Sequence, residues 1–162
     1  MGLDLKYGHL RGGKTAVPWA MTASEAIADR SGKFVTRNTS TGAVEIADTT
    51  NDLFGWAEAA YDSASDSGAV YNVIVDITAI FRMPLIYDNS TYTVNYSDVL
   101  KGETCDIKVS GGIQYCDPSN ATNNSLIIVG GQAATGTDIS ENDGYVDVMM
   151  NPNAMYQLSV GA

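Results

Sequence analysis

The 162-residue chain contains one histidine, two cysteines, three phenylalanines and nine basic residues. It also has no run of about eighteen apolar residues. Each shortage removes a class of function. A Ser-His-Asp or Cys-His centre would have to be assembled around His9, in a segment that shows no core-forming period. His9 is therefore read as incidental, no catalytic residue is expected, and the chain is not expected to be an enzyme. Cys105 and Cys116 have neither histidine nor further cysteine near them, which argues against a zinc site. They either pair across a hairpin or stay as free thiols. With no long apolar run, no membrane span is expected, and no apolar segment after Met1 reads as a signal peptide. Nineteen acidic residues give a net charge of −10 and a pI near 4.2. A surface this acidic repels phosphate backbones, so no direct nucleic-acid contact is expected.

Two motifs attract attention and both fail on context. "GHLRGGKT", Gly8 to Thr15, matches the phosphate-loop pattern G-x-x-x-x-G-K-[ST]. That pattern works only where a buried strand enters the loop and a helix leaves it. Pro18 follows Thr15 by three residues and biases Val17 away from helical geometry, so a nucleotide site is rejected and no cofactor is expected. "DISENDG", Asp138 to Gly144, is rich in oxygen donors, but Asp143 stands where a calcium loop requires glycine. No metal is expected. A carbohydrate-active enzyme would need two carboxylates in a cleft, and nothing singles out a pair among Asp48, Asp52, Asp62 and Asp66.

What remains is a dense β pattern. Lys33–Arg37 and Ala43–Ala47 alternate on either side of a turn at Thr39–Gly42. "LFGWAEAA" follows, with Trp56 expected in the core behind Gly55. Ala69–Tyr87 is the strongest β run, with Val73, Val75, Ile77 and Ala79 on one parity and Asp76 on the other. Further strands are expected in "STYTVNYS", in "TCDIKVS" (where Cys105, Ile107 and Val109 share a face), in "IQYCD", "SLIIVGG" and "YVDVMM". Short strands separated by Gly, Asn, Asp and Ser, without 10–15-residue helical patterns, specify an all-β sandwich or barrel.

The expected organisation is an extended N-terminal arm over residues 1–22, a β-rich core domain over 23–87, and a β-rich part over 88–162. That last part belongs either to the same domain or to a small second lobe. Charge divides similarly: residues 1–37 carry six of the nine bases and three of the nineteen acids. Trp19 lacks a local core in this reading, so it is expected to anchor the arm in a pocket of a neighbouring subunit. Tyr7, Leu10, Arg11, Lys14 and Val17 are expected to join it as partner-binding residues.

The glycine-marked hairpin with Gly32, Val35, Gly42 and Val44, followed by Gly55 and Ala57, resembles the head decoration (capsid cement) proteins of tailed bacteriophages. Gly102, Asp106 and Ile107, with the closing Val146, Val148 and Asn151, look similar to phage virion proteins. The resemblance implies a β-clip or tulip-like body without catalytic residues. It implies binding to the major capsid protein on the outer surface of an assembled capsid, often as a homo-trimer. The chain would be made in a bacterial cytoplasm and end in the virion. An arm of about twenty residues would reach roughly 65 Å across a neighbouring subunit. The alternative is a phage tail, fibre or surface-adhesion module that binds glycans, although neither repeats nor a coiled-coil segment is present.

Overall fold

The computed structural model describes residues 7–22, 26–27, 32–48, 53–58, 61–62, 69–86, 96, 100–120, 122–132 and 145–155. Thirteen strands lie within them: β1 (Gly8–Arg11), β2 (Ala16–Ala20), β3 (Ala26–Ile27), β4 (Lys33–Arg37), β5 (Val44–Ile46), β6 (Leu53–Ala57), β7 (Tyr61–Asp62), β8 (Val70–Ile74), β9 (Ile80–Pro84), β10 (Thr104–Ser110), β11 (Ile113–Asp117), β12 (Leu126–Gln132) and β13 (Tyr145–Met150). They form a six-stranded sheet in the order β1-β9-β13-β12-β10-β11, a five-stranded sheet in the order β2-β8-β6-β4-β5, and the short pair β3-β7. All pairings between these strands are antiparallel. The all-β, sandwich-like class expected from the sequence is the observed one. The six-stranded sheet draws strands from both sides of residue 88.

Each sheet curls back on itself. Leu85, just past β9, makes a parallel bridge to Cys116 of β11, and Ile86 N donates to Cys116 O at 3.0 Å. Met21, just past β2, bridges Val44 of β5, and Thr22 N donates to Val44 O at 2.7 Å. Curling gives the five-stranded sheet an interior of its own, holding Met21, Ile27, Val35, Val44, Phe54, Ala57 and Val73. Neighbouring residues on the same strands, Phe34, Trp56 and Ile74, join a second and larger cluster. There they meet Phe81, Met83, Ile107, Leu126, Ile128, Val146, Val148 and Met150 of the other sheet. This is why β6 reads "LFGWA", without alternation: all five residues are buried, Leu53 and Trp56 in the larger core and Phe54 and Ala57 in the smaller, with a register shift against β4 breaking the two-residue period. A strand covered on both faces carries a continuous apolar run.

The seam between the sheets is aromatic. Phe34 meets Trp56 and Phe81 edge-on, with ring centroids 4.7 and 5.1 Å away, and Trp56 lies 5.1 Å from Phe81. Gln114 locks this seam with hydrogen bonds. Its Oε1 accepts from Phe34 N at 2.8 Å, and its Nε2 donates to Phe34 O at 2.9 Å and Ala47 O at 2.8 Å. A buried amide so satisfied carries no desolvation penalty for leaving partners unmet. Lys33 reaches from β4 to Gly112 O, at the β10–β11 turn, over 2.7 Å. Burial pulls its pKa below the ordinary lysine value.

Three expectations need correction. Residues 8–20 are extended, but as β1 and β2 of the body's own sheets rather than as a free arm. β2 is the outer strand beside β8, a position that tolerates Pro18. Ala69–Tyr87 is not one strand. It is β8 and β9 separated by a turn at Ile77–Thr78 that carries the chain from one sheet to the other. As a result Ile77 is 46% exposed although Val73 and Ala79 are buried. β4 is buried on both faces rather than half-buried, because a second core lies behind it. Most of "STYTVNYS" and the acidic loop at 133–144 fall outside the described residues.

Candidate interaction surface

Two connections cross between the sheets side by side. Residues 12–15 lead from β1 to β2, and residues 75–79 lead from β8 to β9. The registers Arg11↔Ile80 and Ala16↔Ile74 put both at the same end of the molecule. The Asp76 carboxylate sits between them. Its Oδ2 accepts from Thr15 N at 3.3 Å and from the Thr15 hydroxyl at 3.0 Å. Its Oδ1 accepts from Thr78 N at 2.9 Å and from the Thr78 hydroxyl at 2.6 Å. Gly13 N donates to the same Thr78 hydroxyl at 3.0 Å. A Cβ on Gly13 would run into the Asp76 carboxylate, and one on Gly12, whose φ is +90°, would run into the Thr78 carbonyl. Both glycines are therefore needed for the two connections to touch.

These hydrogen bonds, those from Thr78 foremost, stabilise the ionised form and lower the Asp76 pKa from the usual 3.8 to about 2. A lowered folded-state pKa adds stability above the unfolded value, and that stability is lost as pH falls towards the folded value. Wild type should therefore unfold at a higher temperature than Asp76→Asn at neutral pH. The gap should close as pH drops through the window from about 3.8 to about 2. Paired melts across this range check the expectation; a gap that is constant with pH would contradict it.

The phosphate-loop resemblance of Gly8–Thr15 resolves at this place. The loop leads into a strand rather than a helix, its Thr15 holds Asp76, and Lys14 Nζ pairs with Glu58 Oε2 at 2.7 Å. His9 lies on β1 with its ring edge-on to Phe81 at 5.7 Å and Nε2 3.3 Å from Gly13 O.

The residues expected to bind a partner divide into two groups. Trp19 turns inward: its Nε1 donates to Gly42 O at 2.7 Å, and its ring lies 4.9 Å from that of Phe54. Val17, two positions earlier on the same face, packs against the same interior. The expectation that Trp19 has no local core is corrected, because the curled five-stranded sheet supplies one. Tyr7 is half-buried. Leu10, Arg11 and Lys14 remain exposed, with Leu10 at 42%. Ile77, which the sequence placed inside a strand, lies in the adjoining turn and adds a second exposed apolar side chain at this end. The Asp-x-Thr spacing of Asp76 and Thr78 was the available signal, since such residues bind their own backbone two positions on and make turns.

Polar groups elsewhere serve the body. Arg82 on β9 pairs with the directly opposed Asp147 on β13 through Nε–Oδ1 at 2.8 Å and Nη2–Oδ2 at 3.1 Å. The Arg82 guanidinium also lies 3.7 Å from the centroid of the Tyr145 ring. The Asp147 hydrogen bond raises the Arg82 pKa. Asp106 accepts from Thr122 N and Asn123 N, and Asp117 from Ser119, which folds the 117–125 connection against β10. Cys105 and Cys116 are both buried free thiols. Burial, and then the hydrogen bond between them, push the Cys116 pKa well above its ordinary value. Among the described residues no three His, Cys, Asp or Glu side chains converge as metal ligands. No helix there is long and apolar enough to cross a membrane. Compared with known proteins, the chain matches no family model, no curated protein and no solved structure.

Proposed function

We propose that this chain is a structural virion protein that binds the outer surface of an assembled phage capsid, as a homo-trimer, and cements adjacent major capsid subunits. The observation that carries this reading is the crossover end, where Leu10 and Ile77 are exposed beside the cationic Arg11 and the Glu58-paired Lys14. Arg11 makes no ion pair among the described residues. This end belongs to the less acidic front of a chain whose other residues are strongly acidic. Exposed apolar groups with cations at their margin suit a protein surface of mixed apolar and acidic character. The acidic remainder would face solvent and keep particles apart.

The sequence resemblance to decoration proteins supports the same reading through residues with structural work to do. Gly32 lies against the Trp56 ring and Gly55 against the backbone of β8. With β1 and β2 held in the body, adhesion comes from this preformed end and not from a trailing arm. Preorganised contact avoids the ordering cost that a flexible segment carries. Trimerisation would then make the second and third contacts effectively intramolecular.

The test is cosedimentation with emptied heads of the tailed phage whose genome encodes the chain. Wild type should pellet with assembled heads and not with unassembled capsid subunits, and the Leu10→Asp/Ile77→Asp variant should lose at least tenfold in affinity, about 1.4 kcal/mol or more. Wild type remaining in the supernatant would overturn the proposal.

A further inference from the structure

We propose that the junction of the Gly12–Thr15 loop with the Asp76–Thr78 turn is an oxyanion-binding site whose resident ligand is the chain's own Asp76 carboxylate, and that a small external carboxylate takes its place when that side chain is removed. The inference is independent of the capsid reading. Two backbone amides and two hydroxyls, from Thr15 and Thr78, converge on the two carboxylate oxygens, and the Gly13 amide reaches them through the Thr78 hydroxyl. The two main-chain donors, Thr15 N and Thr78 N, come one from each connection, so the anion sits where the two segments meet. The loop is shaped around its guest, because any side chain at position 13 would occupy the space the carboxylate fills.

The geometry also sets the class of ligand. The donors meet the two oxygens of a planar, singly charged group from both sides. Lys14, which in a phosphate loop would meet the terminal phosphates, is bound instead to Glu58. The loop thus lacks the cation that a polyphosphate requires, and formate or acetate is the fitting guest. Thr15 and Thr78 are both exposed, so an ion from solvent reaches the donors directly.

The experiment is thermal unfolding of Asp76→Ala in sodium formate and in sodium chloride at matched ionic strength. Wild type in the same salts measures the general effect of salt on stability. Asp76→Ala should melt below wild type in chloride, and formate should recover most of the loss along a saturating curve, as expected for a ligand that binds only the folded state. Asp76→Ala/Thr15→Val, which removes one hydroxyl donor, should recover clearly less. Equal responses of wild type and Asp76→Ala to formate would overturn the proposal, as would undiminished recovery in the double variant. If Asp76→Ala does not fold in chloride, refolding yield gives the readout: a yield restored by formate supports the site, and equal yields in both salts overturn it.

Discussion

Phe34→Ala is expected to lower the unfolding free energy by about 3–5 kcal/mol, the range for truncating a buried aromatic side chain. Phe34 is fully buried on β4 and is the ring shared by the Trp56 and Phe81 contacts. Two effects combine. Apolar area is lost, and the hole opens between two sheets whose backbones are tied by Gln114, which leaves little freedom to collapse. Small domains have a net stability of about 5–15 kcal/mol, so one substitution would remove a large share of it. Urea unfolding checks the expectation: the midpoint should fall sharply while the slope stays near the wild-type value. A loss below about 1 kcal/mol, the size of a mild core change, would show that the seam is looser than described.

Gly55→Ala should be as damaging for the opposite reason. A Cβ at this position would run into the Ile74 carbonyl and would stand 2.7 Å from Val73 Cγ1. Overpacking typically costs about 1–3 kcal/mol when side chains can shift. Here the obstacle is the backbone of β8, while Phe54 and Trp56 fix β6 from opposite faces, each in its own core. Separating the strands would break the Trp56↔Ile74 and Ala57↔Val73 pairing. The expected result is a protein recovered mainly in the insoluble fraction, with any soluble remainder melting well below wild type. A wild-type melting curve would mean that β6 and β8 stand farther apart at Gly55.

Local chemistry made much of the fold legible. Strand β4 matches the expected Lys33–Arg37 run, and β5 falls inside Ala43–Ala47, because a Gly-containing turn separates two short β-branched segments. Cys105 and Ile107 enter the core together as alternation required, whereas Val109, expected on the same face, is 41% exposed; Trp56 is buried as Gly55 implied. What stayed hidden depended on partners distant in sequence. Nothing local to "AVPWA" tells that Phe54 and the Gly42 carbonyl await Trp19, so an outer strand of the body's own sheet resembled a tether. The sheet-to-sheet turn at Asp76–Thr78 was masked by flanking apolar residues that continue the same parity on both sides. Of the candidate surface, Leu10, Arg11 and Lys14 were singled out as partner-binding residues and are exposed, whereas Ile77 joins them only through that turn. Gln114 gave no signal at all, since a glutamine in a strand is ordinarily a solvent-facing residue, and only the approach of Phe34 on β4 and of Ala47 just past β5 gives its amide three bonds.

The parallel bridges at Leu85–Cys116 and Met21–Val44 have a consequence for crowding. Exposed strand margins invite pairing between molecules, and a protein packed densely against its own copies meets that hazard continuously. Among the described residues these bridges join the outer strands β11 and β5 to the chain just past β9 and β2, and the four-residue β1, which ends in Arg11, offers a short template for a neighbour. Edge-to-edge growth into fibres is correspondingly disfavoured at these margins.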